Sequence, residues 1–470
     1  MPTSFSDPKS LANSGGKDRP EQPSDGLVRR LGLFDATMIV MGGIVGSGIF
    51  INPYVVAQQV HTPVMILGVW ILGGVIALGG AFVYAELSAL HPKVGGQYAY
   101  IREAYHPSVA FVYGWALLLV TQTGGMAAVA VTFAHYFVEL THVPLGDGVL
   151  AGLALGVLTL INCLGVKQGS TVQSILMVLK ILAIAGLVGA GWVWVHGPHL
   201  EMHPVLDRPL SLDLVTAMGA AMIPVLFAFG GWQTSCFIAG EVVEPGKNLP
   251  RALVMGVLGV IALYFAVNWI CVRDLGAAGL AETTTPATAV MRLALGDRGA
   301  ELIAAGIAIS TLGFLSQSIL TAPRVYFAMA KDGLFFRGVA RVHPRTHVPV
   351  VAIALQGVWA TVIALSGSYE QILNYVVSTD FIFFGLTATC LFAFRRREPR
   401  AAGPAPTTAH ITRMPGHPVS TLLFVAACWL VVLATIYKFP WNSAIGLMIV
   451  LAGIPVYFLW ARHGAAQAKV

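Results

Sequence analysis

Two glycine clusters, each inside a hydrophobic segment, could expose backbone N–H and C=O groups that bind a ligand. The first is Gly46-Ser47-Gly48, within the run 39–50, and the second is Phe229-Gly230-Gly231-Trp232. A helix in hydrocarbon keeps every backbone N–H and C=O paired internally, because its surroundings offer no substitute partner. Helix-weakening residues at mid-depth therefore mark either close helix packing or a break that exposes backbone groups to a buried cavity. Two such clusters, one in each half of the chain, favour breaks and predict a binding site between them.

The backbone groups freed at such breaks suit a ligand that carries both a carboxylate and an ammonium group. Unwinding at the first cluster leaves N–H groups at the start of the next half-helix, where the helix dipole favours a carboxylate. The preceding carbonyls, around Ile44 and Val45, suit an ammonium group, and the second break adds carbonyls near Phe227 and Gly230. An α-amino acid has both groups on one carbon, so it could be held without any charged side chain.

The composition is that of an integral membrane protein. Of 470 residues, 56% are hydrophobic and only 11% charged, whereas soluble proteins carry about 25% charged residues. The formal charge of +6 is explained by basic residues on cytoplasmic loops, so it does not indicate a nucleic-acid partner. The cysteines all lie in hydrophobic segments without a C-x-x-C pair, as expected of packing residues: they are Cys163, Cys236, Cys271, Cys390 and Cys428.

Hydropathy predicts an all-α protein with twelve transmembrane helices. The first, third and eighth segments exceed the ~20 residues needed to cross a bilayer, which suits tilted or interrupted helices. The ninth and tenth form a tight hairpin around Gly367-Ser368. The predicted spans are 33–59, 64–90, 108–138, 147–165, 171–195, 214–240, 251–272, 300–330, 348–367, 369–394, 417–438 and 441–461.

The distribution of lysine and arginine predicts the orientation. Most of the 28 basic residues fall in segments on the same side of the membrane as the N-terminus. Few fall in loops on the opposite side: Arg208, Arg273, Arg292, Arg298 and Lys438. Because positive charge accumulates on cytoplasmic loops, both termini are expected in the cytoplasm, with the protein in the plasma or inner membrane.

The two halves match in an inverted sense. Segments one and six carry the glycine clusters, and segments two and seven precede longer connections with an amphipathic stretch, 91–107 and 273–299. This pattern predicts a five-plus-five inverted repeat with broken helices 1 and 6 and two additional C-terminal helices. The expected boundaries are a disordered cytoplasmic tail 1–30, repeats 31–200 and 201–396, a cytoplasmic linker 397–416, helices 417–463 and a cytoplasmic tail 464–470.

Four collinear landmarks carry a resemblance to a known family. They are 45–53 (VGSGIFINP), 85–105 (AELSALHPKVGGQYAYIREAY), 227–232 (FAFGGW) with 240–251 (GEVVEPGKNLPR), and 328–335 (AMAKDGLF) with 342–345 (VHPR). Together they resemble the L-type amino acid transporter branch of the amino acid–polyamine–organocation superfamily. The resemblance implies sodium-independent alternating access, most often as amino acid exchange.

The resemblance also implies a substrate site at the two breaks. The carboxylate would meet Ser47 and the N–H of Gly48, and the ammonium would meet carbonyls of Ile44, Phe227 and Gly230. Phe227 would further be the aromatic gate that covers the substrate from outside. Without the resemblance, Phe227 is better interpreted as a lipid or core contact.

Lys180 lies deep in the fifth predicted span. A lysine at the bilayer centre costs at least ~2.5–3.5 kcal/mol on insertion scales, so it calls for a role. Snorkelling is the alternative, although the cytoplasmic end is a long reach for one side chain. The resemblance implies that Lys180 stands where sodium-coupled relatives bind an ion, with Ser310 and Thr311 as partners. Our hypothesis is that it replaces sodium and couples substrate binding to closure.

Other polar residues at depth have less defined roles. Asp380 suits a packing or gating hydrogen bond as readily as a ligand contact. Glu86 and Glu241 are expected to make inner-gate contacts with basic loop groups, and Thr121 and Thr123 to line the side-chain pocket.

Other function classes find little support. There is no H-E-x-x-H, G-x-S-x-G or phosphate-binding glycine loop, so the sequence indicates no catalytic residue, cofactor or metal. An ion channel would need a charged or carbonyl-lined pore, normally between several subunits. A proton-coupled symporter remains the alternative to exchange. The uncharged pocket and Gly124-Gly125 favour neutral amino acids, with polyamines and cationic substrates left open.

No covalently attached subunit is expected. In the animal branch, a cysteine in the external loop between helices three and four links a glycoprotein partner. The corresponding loop here, Glu139 to Asp147, has no cysteine. The sequence therefore predicts a stand-alone, prokaryotic transporter whose partners are its amino acid substrate and membrane lipid.

Overall fold

The computed structural model describes residues 27–196, 202–366, 369–397, 413–438 and 440–467. These residues form α-helices with short connections, and an isolated β-bridge joins Leu31 to Val242. Most of the predicted tail 1–30, most of the linker 397–416, the Gly367-Ser368 turn and residues 468–470 lie outside the described residues.

The described residues up to the second glycine cluster form nine helices. They are α1 (Leu33–Ile44), α2 (Gly48–Ala57), α3 (Pro63–Leu90), α4 (Gln97–Ala104), α5 (Pro107–Ala116), α6 (Gln122–Thr141), α7 (Asp147–Cys163), α8 (Val166–Trp194) and α9 (Leu212–Phe229). A π-helical turn, Leu117–Thr121, joins α5 to α6, and a 3₁₀ helix, Trp232–Glu241, follows α9.

The described residues of the second part add eight helices and a short 3₁₀ turn, Arg337–Ala340. They are α10 (Pro245–Glu282), α11 (Pro286–Leu295), α12 (Asp297–Thr321), α13 (Pro323–Lys331), α14 (Val350–Leu365), α15 (Tyr369–Arg397), α16 (Val419–Lys438) and α17 (Pro440–Gln467). Helices α4 and α11 occupy the two connections in which the sequence predicted amphipathic stretches.

Membrane-spanning helices dominate the described chain. Eight helical stretches in it are long and apolar enough to cross a bilayer, or nine if α1 and α2 count as one bent span. Helices α7 and α14 are apolar but shorter, with 17 and 16 residues. The protein is thus an all-helical membrane protein, whereas the count of twelve spans stays a prediction.

The first glycine cluster interrupts the first span. Helix α1 ends at Ile44, α2 begins at Gly48, and their axes differ by 41°. Between them Val45 adopts an extended conformation, with φ −75° and ψ 98°. The last carbonyls of α1 and the first N–H groups of α2 therefore lack helical partners in the middle of the bundle.

The second cluster interrupts the sixth predicted span. Helix α9 ends at Phe229, Gly230 is extended, and Gly231 has φ +112° before the 3₁₀ helix begins at Trp232. A positive φ of this kind is open to glycine and strained for residues with a Cβ. Glycine therefore sets the position of this break.

The two breaks touch each other backbone to backbone. A Cβ on Gly231 would lie 2.0 Å from the carbonyl oxygen of Gly43, and one on Gly43 would lie 2.8 Å from the carbonyl oxygen of Gly231. The Tyr264 hydroxyl of α10 contacts both interrupted spans, at 3.1 Å from the Ile44 carbonyl oxygen and 3.0 Å from that of Ala228. One residue of α10 thus holds the ends of α1 and α9 together.

The face of the bundle where α1 begins is closed. The N–H groups of Arg30 and Leu31 donate to the Glu241 carbonyl at 2.9 and 3.0 Å. The guanidinium of Arg324 binds the Glu241 carboxylate through two hydrogen bonds of 2.9 Å, and both side chains have no exposed area. A buried ion pair and a backbone bridge together seal this face.

Replacing Gly231 with alanine is expected to disrupt the backbone contact between the two breaks and lower stability. The alanine Cβ would overlap the Gly43 carbonyl, and its φ would be strained. Gly230→Ala is the matched control, since its φ is −65° and its nearest non-neighbour atom would be 3.3 Å away. Thermal unfolding in detergent should give a much lower Tm for Gly231→Ala than for Gly230→Ala. Equal Tm values would contradict the backbone contact.

Tyr264→Phe is expected to lower stability by about 1 kcal/mol or more, because the buried carbonyls of Ile44 and Ala228 share the single hydroxyl hydrogen of Tyr264 and lose it. Tyr326→Phe is the control, since its hydroxyl is equally buried and has no hydrogen-bond partner in the structure. Only Tyr264→Phe should show a reduced Tm, and a similar loss in both variants would argue against this role of Tyr264.

Candidate binding site

A cavity of about 140 Å³ lies where the two breaks meet. Its walls come from both breaks and from α6, α12 and α15. From Thr121 the lining continues along α6 to Thr132, towards the face opposite the start of α1. Most of the predicted binding residues line it: Ile44, Gly46, Ser47, Gly48, Thr121, Phe227 and Gly230. Asp380, predicted for a packing or gating hydrogen bond as readily as for a ligand contact, lines it as well.

The α2 side of the cavity presents N–H groups. Gly48 is the first residue of α2, so the N–H groups of Gly48 and Ile49 have no partner within the helix, whereas that of Phe50 donates to the Ser47 carbonyl at 3.1 Å. Ser47 occupies the N-cap position, and its side chain makes no capping hydrogen bond. This arrangement provides donors and a positive dipole end, both of which favour a carboxylate.

The carbonyls of the first break already receive donors from three other helices. Tyr264 of α10 donates to Ile44, Lys180 of α8 donates to Val45, and the Ser310 hydroxyl of α12 lies 3.3 Å from the Gly46 carbonyl oxygen. A carbonyl oxygen has two lone pairs, so a first bond leaves room for a ligand ammonium. Ile44 lines the cavity, but Val45 does not, and its carbonyl faces Lys180.

Lys180 lies beside the first break. Its side chain is fully buried, and its ammonium donates to the Val45 carbonyl. A Cβ on Gly313 of α12 would lie 3.3 Å from both Cε and Nζ of Lys180, so the lysine also packs against α12. Thr311 is buried there, with its hydroxyl donating to the Ala308 carbonyl at 2.7 Å. In the described chain no carboxylate lies within ion-pair distance of Lys180, and the Val45 carbonyl accepts the hydrogen bond of its ammonium.

Some predicted residues lie away from the cavity. The Thr123 hydroxyl turns back to the Leu118 carbonyl, 2.6 Å away, across the π-helical turn. Glu241 makes the ion pair with Arg324, and Glu86 accepts two bonds from Arg395, at 2.7 and 2.8 Å. Both glutamates thus contact basic groups on the closed side. Thr123 makes its hydrogen bond within its own span, to a residue of the π-helical turn.

Sequence reasoning missed several polar residues at the site. Gln122, Gln233 and Gln317 are among the residues that line the cavity. Gln233 directly follows the glycine-tryptophan cluster, and Gln317 lies in a Ser-Gln-Ser run inside a hydrophobic segment. Polar residues at membrane depth are a functional signal, so these two could have been found. Tyr264 sits in an ordinary apolar run, and no feature of the sequence sets it apart.

The comparisons with known proteins cover nearly the whole chain. A family model described as "Amino acid permease" matches residues 31–458. The serine/threonine exchanger SteT of Bacillus subtilis (strain 168) is 30% identical over 451 residues, covering 94% of this chain and 99% of the exchanger.

Two human proteins are similar over almost the same length. The large neutral amino acids transporter small subunit 2 is 30% identical over 452 residues, covering 94% of this chain and 82% of the relative. The Asc-type amino acid transporter 1 is 28% identical over 442 residues, covering 92% and 82%. The chain therefore belongs to the amino acid permease family, in the L-type amino acid transporter-like branch of the amino acid–polyamine–organocation superfamily.

Proposed function

We propose that this protein exchanges L-amino acids across the membrane by sodium-independent alternating access. The observation that carries the proposal is the cavity at the meeting point of two interrupted helices, with N–H groups on one side and carbonyls on the other. A zwitterion bridges these two sets of groups. The names of the relatives, which include an exchanger and two amino acid transporters, support the substrate class.

Alternating access rests on the difference between the two ends of the cavity. The face where α1 begins is sealed by Glu241 and Arg324, whereas the cavity lining extends towards the opposite face as far as Thr132. In the proposed arrangement, twelve spans form repeats 31–200 and 201–396 with helices 417–463 appended. Both termini face the cytoplasm, and the protein lies in the plasma or inner membrane.

Independence of sodium rests on Lys180. An ammonium that donates to a carbonyl of the break and packs against Gly313 of α12 supplies the positive charge that a bound cation would otherwise bring, with Ser310 and Thr311 of α12 as its proposed partners. Ser47 and Gly48 would hold the substrate carboxylate, and Ile44, Phe227 and Gly230 its ammonium. Phe227 would act as the gate, and the protein would work without a disulfide-linked subunit.

Counterflow in proteoliposomes tests the proposal. Vesicles loaded with an unlabelled L-amino acid should take up the labelled amino acid in sodium-free buffer, and empty vesicles should take up little. Uptake into empty vesicles that disappears when the pH gradient is collapsed would instead identify a proton symporter. That alternative is favoured by a buried Lys180 without a carboxylate partner in the described chain. Uptake that requires sodium would contradict the proposed mechanism.

Removing the buried ammonium tests the coupling role. Lys180→Ala should reduce counterflow at least about tenfold, since a loss of 1.4 kcal/mol of closure energy already gives that factor. Lys247→Ala is the control, because its side chain is 58% exposed and pairs with Glu244 at 3.3 Å. Undiminished counterflow by folded Lys180→Ala would remove Lys180 from the mechanism.

A further inference from the structure

A groove of about 640 Å³ opens on the face of the bundle opposite the start of α1. It lies where the end of α2, the first turns of α9 and the end of α16 meet, and its described lining residues are all different from those of the central cavity. Its volume is within the range of about 300–1,000 Å³ that is typical of ligand sites. The groove is therefore large enough to hold a ligand of its own.

The mouth of the groove carries charges of both signs. Arg208, Asp213 of α9 and Lys438 of α16 all line it. The Arg208 guanidinium binds the carboxylate of Asp213 at 2.7 Å and that of Asp207 at 3.0 Å. Two carboxylates thus offset one guanidinium, which leaves an excess negative charge beside α9, while Lys438 brings a positive charge from α16. The Asp213 side chain is 74% exposed, so its carboxylate is open to a ligand.

Deeper in the groove the lining becomes apolar. The residues there are small or aliphatic: Ala217, Gly219, Ala220, Ile223 and Ala434. Positions 213 and 223 of α9 are ten residues apart, which corresponds to about 15 Å of helix. That length is half the thickness of the ~30 Å hydrocarbon core of a bilayer. The groove thus runs from a charged end to an apolar end over the depth of one leaflet.

Aromatic residues place the mouth of the groove at the level of the lipid headgroups. Tyr437 lines the groove, Trp441 lies at the start of α17, and both side chains are largely exposed. Tyrosine and tryptophan are enriched at membrane–water interfaces, where the ring meets hydrocarbon and the polar atom meets water. The charged mouth therefore lies among headgroups, and the apolar part of the groove lies among acyl chains.

We propose that this groove binds one phosphatidylethanolamine molecule of the adjoining leaflet. The lipid phosphate contacts Lys438, its ammonium group contacts Asp213, and one acyl chain follows α9 towards Ile223. A lysine ammonium has three N–H donors and a carboxylate has about four acceptor positions, so contacts that already exist leave room for both bonds. Phosphatidylcholine has the same charges, but its quaternary ammonium has no N–H to donate, and phosphatidylglycerol has no cation. Lipid binding here does not depend on what the protein transports.

Competition between lipids with identical acyl chains tests the headgroup. The purified protein is mixed in detergent with equimolar phosphatidylethanolamine and phosphatidylcholine, and native mass spectrometry identifies the most tightly retained lipid. Phosphatidylethanolamine should be retained at least about twofold more than phosphatidylcholine, as expected of one exposed ion pair. Equal retention of these two lipids would overturn the contact of the lipid ammonium with Asp213. Equal retention of phosphatidylglycerol and phosphatidylethanolamine would overturn it as well, because the phosphate alone would then be recognised.

Asp213→Asn assigns the headgroup preference to the mouth of the groove. The substitution keeps the shape and removes the charge, so the ratio of phosphatidylethanolamine to phosphatidylcholine should fall to about one, while Arg208 keeps its pair with Asp207. Asp297→Asn is the matched control, because Asp297 is also exposed, lies in the first turn of a helix and pairs with an arginine, Arg292, at 3.6 Å. A ratio that Asp213→Asn leaves unchanged, or that both variants lower equally, would contradict the proposal.

Gly219→Leu tests the apolar part of the groove. A Cβ on Gly219 would meet no atom within 4 Å, so a leucine fits there and fills the groove. The variant should lose the retained lipid, together with the rise in Tm that phosphatidylethanolamine gives the unchanged protein by binding its folded state. Gly186→Leu is the control, because Gly186 of α8 is exposed, has equally open surroundings and lies outside the groove. Ala434→Leu replaces Gly219→Leu if that variant fails to fold, and lipid retained by the filled variant would show that the groove is not the site.

Discussion

The close contact of two backbones at Gly43 and Gly231 is the constraint on which the binding site depends. Two interrupted helices can share one cavity only if their broken ends approach each other directly, and any side chain at the crossing would hold them apart. The positive φ of Gly231 turns the chain at this point. Close packing through glycine is common between membrane helices, but here it joins two ends that expose polar groups.

Irregular backbone is costly inside a membrane unless it finds partners within the protein. In this structure the partners come from helices far away in sequence. Tyr264, Lys180 and Ser310 donate to three successive carbonyls, from Ile44 to Gly46. Each donor belongs to a different helix, so a shift of α8, α10 or α12 changes which carbonyls of the break are hydrogen-bonded. The hydrogen bonding of the break therefore depends on how these three helices pack around it.

The sequence predicted the places of the breaks, because glycine clusters inside apolar segments weaken a helix where they occur. It also predicted that Lys180 has a role at membrane depth, because burying an ammonium is costly. It could not predict that the Thr123 hydroxyl turns back to Leu118, since a π-helical turn shifts the register of α6. Nor could it identify Tyr264, whose hydroxyl reaches partners 220 and 36 residues away. Such pairings depend on helix packing, which hydropathy does not encode.

The fully buried pair of Glu241 and Arg324 links the opening of one face to hydration. Parting two such charges in a dry interior costs ~3–5 kcal/mol, because each would be left without a counterion. Water must therefore enter as the carboxylate and guanidinium separate. Hydration of the two charges and opening of this face then occur in a single step. A half-open, dry passage is the least stable arrangement at this end of the bundle, and under the proposed alternating access it would be avoided between transport cycles.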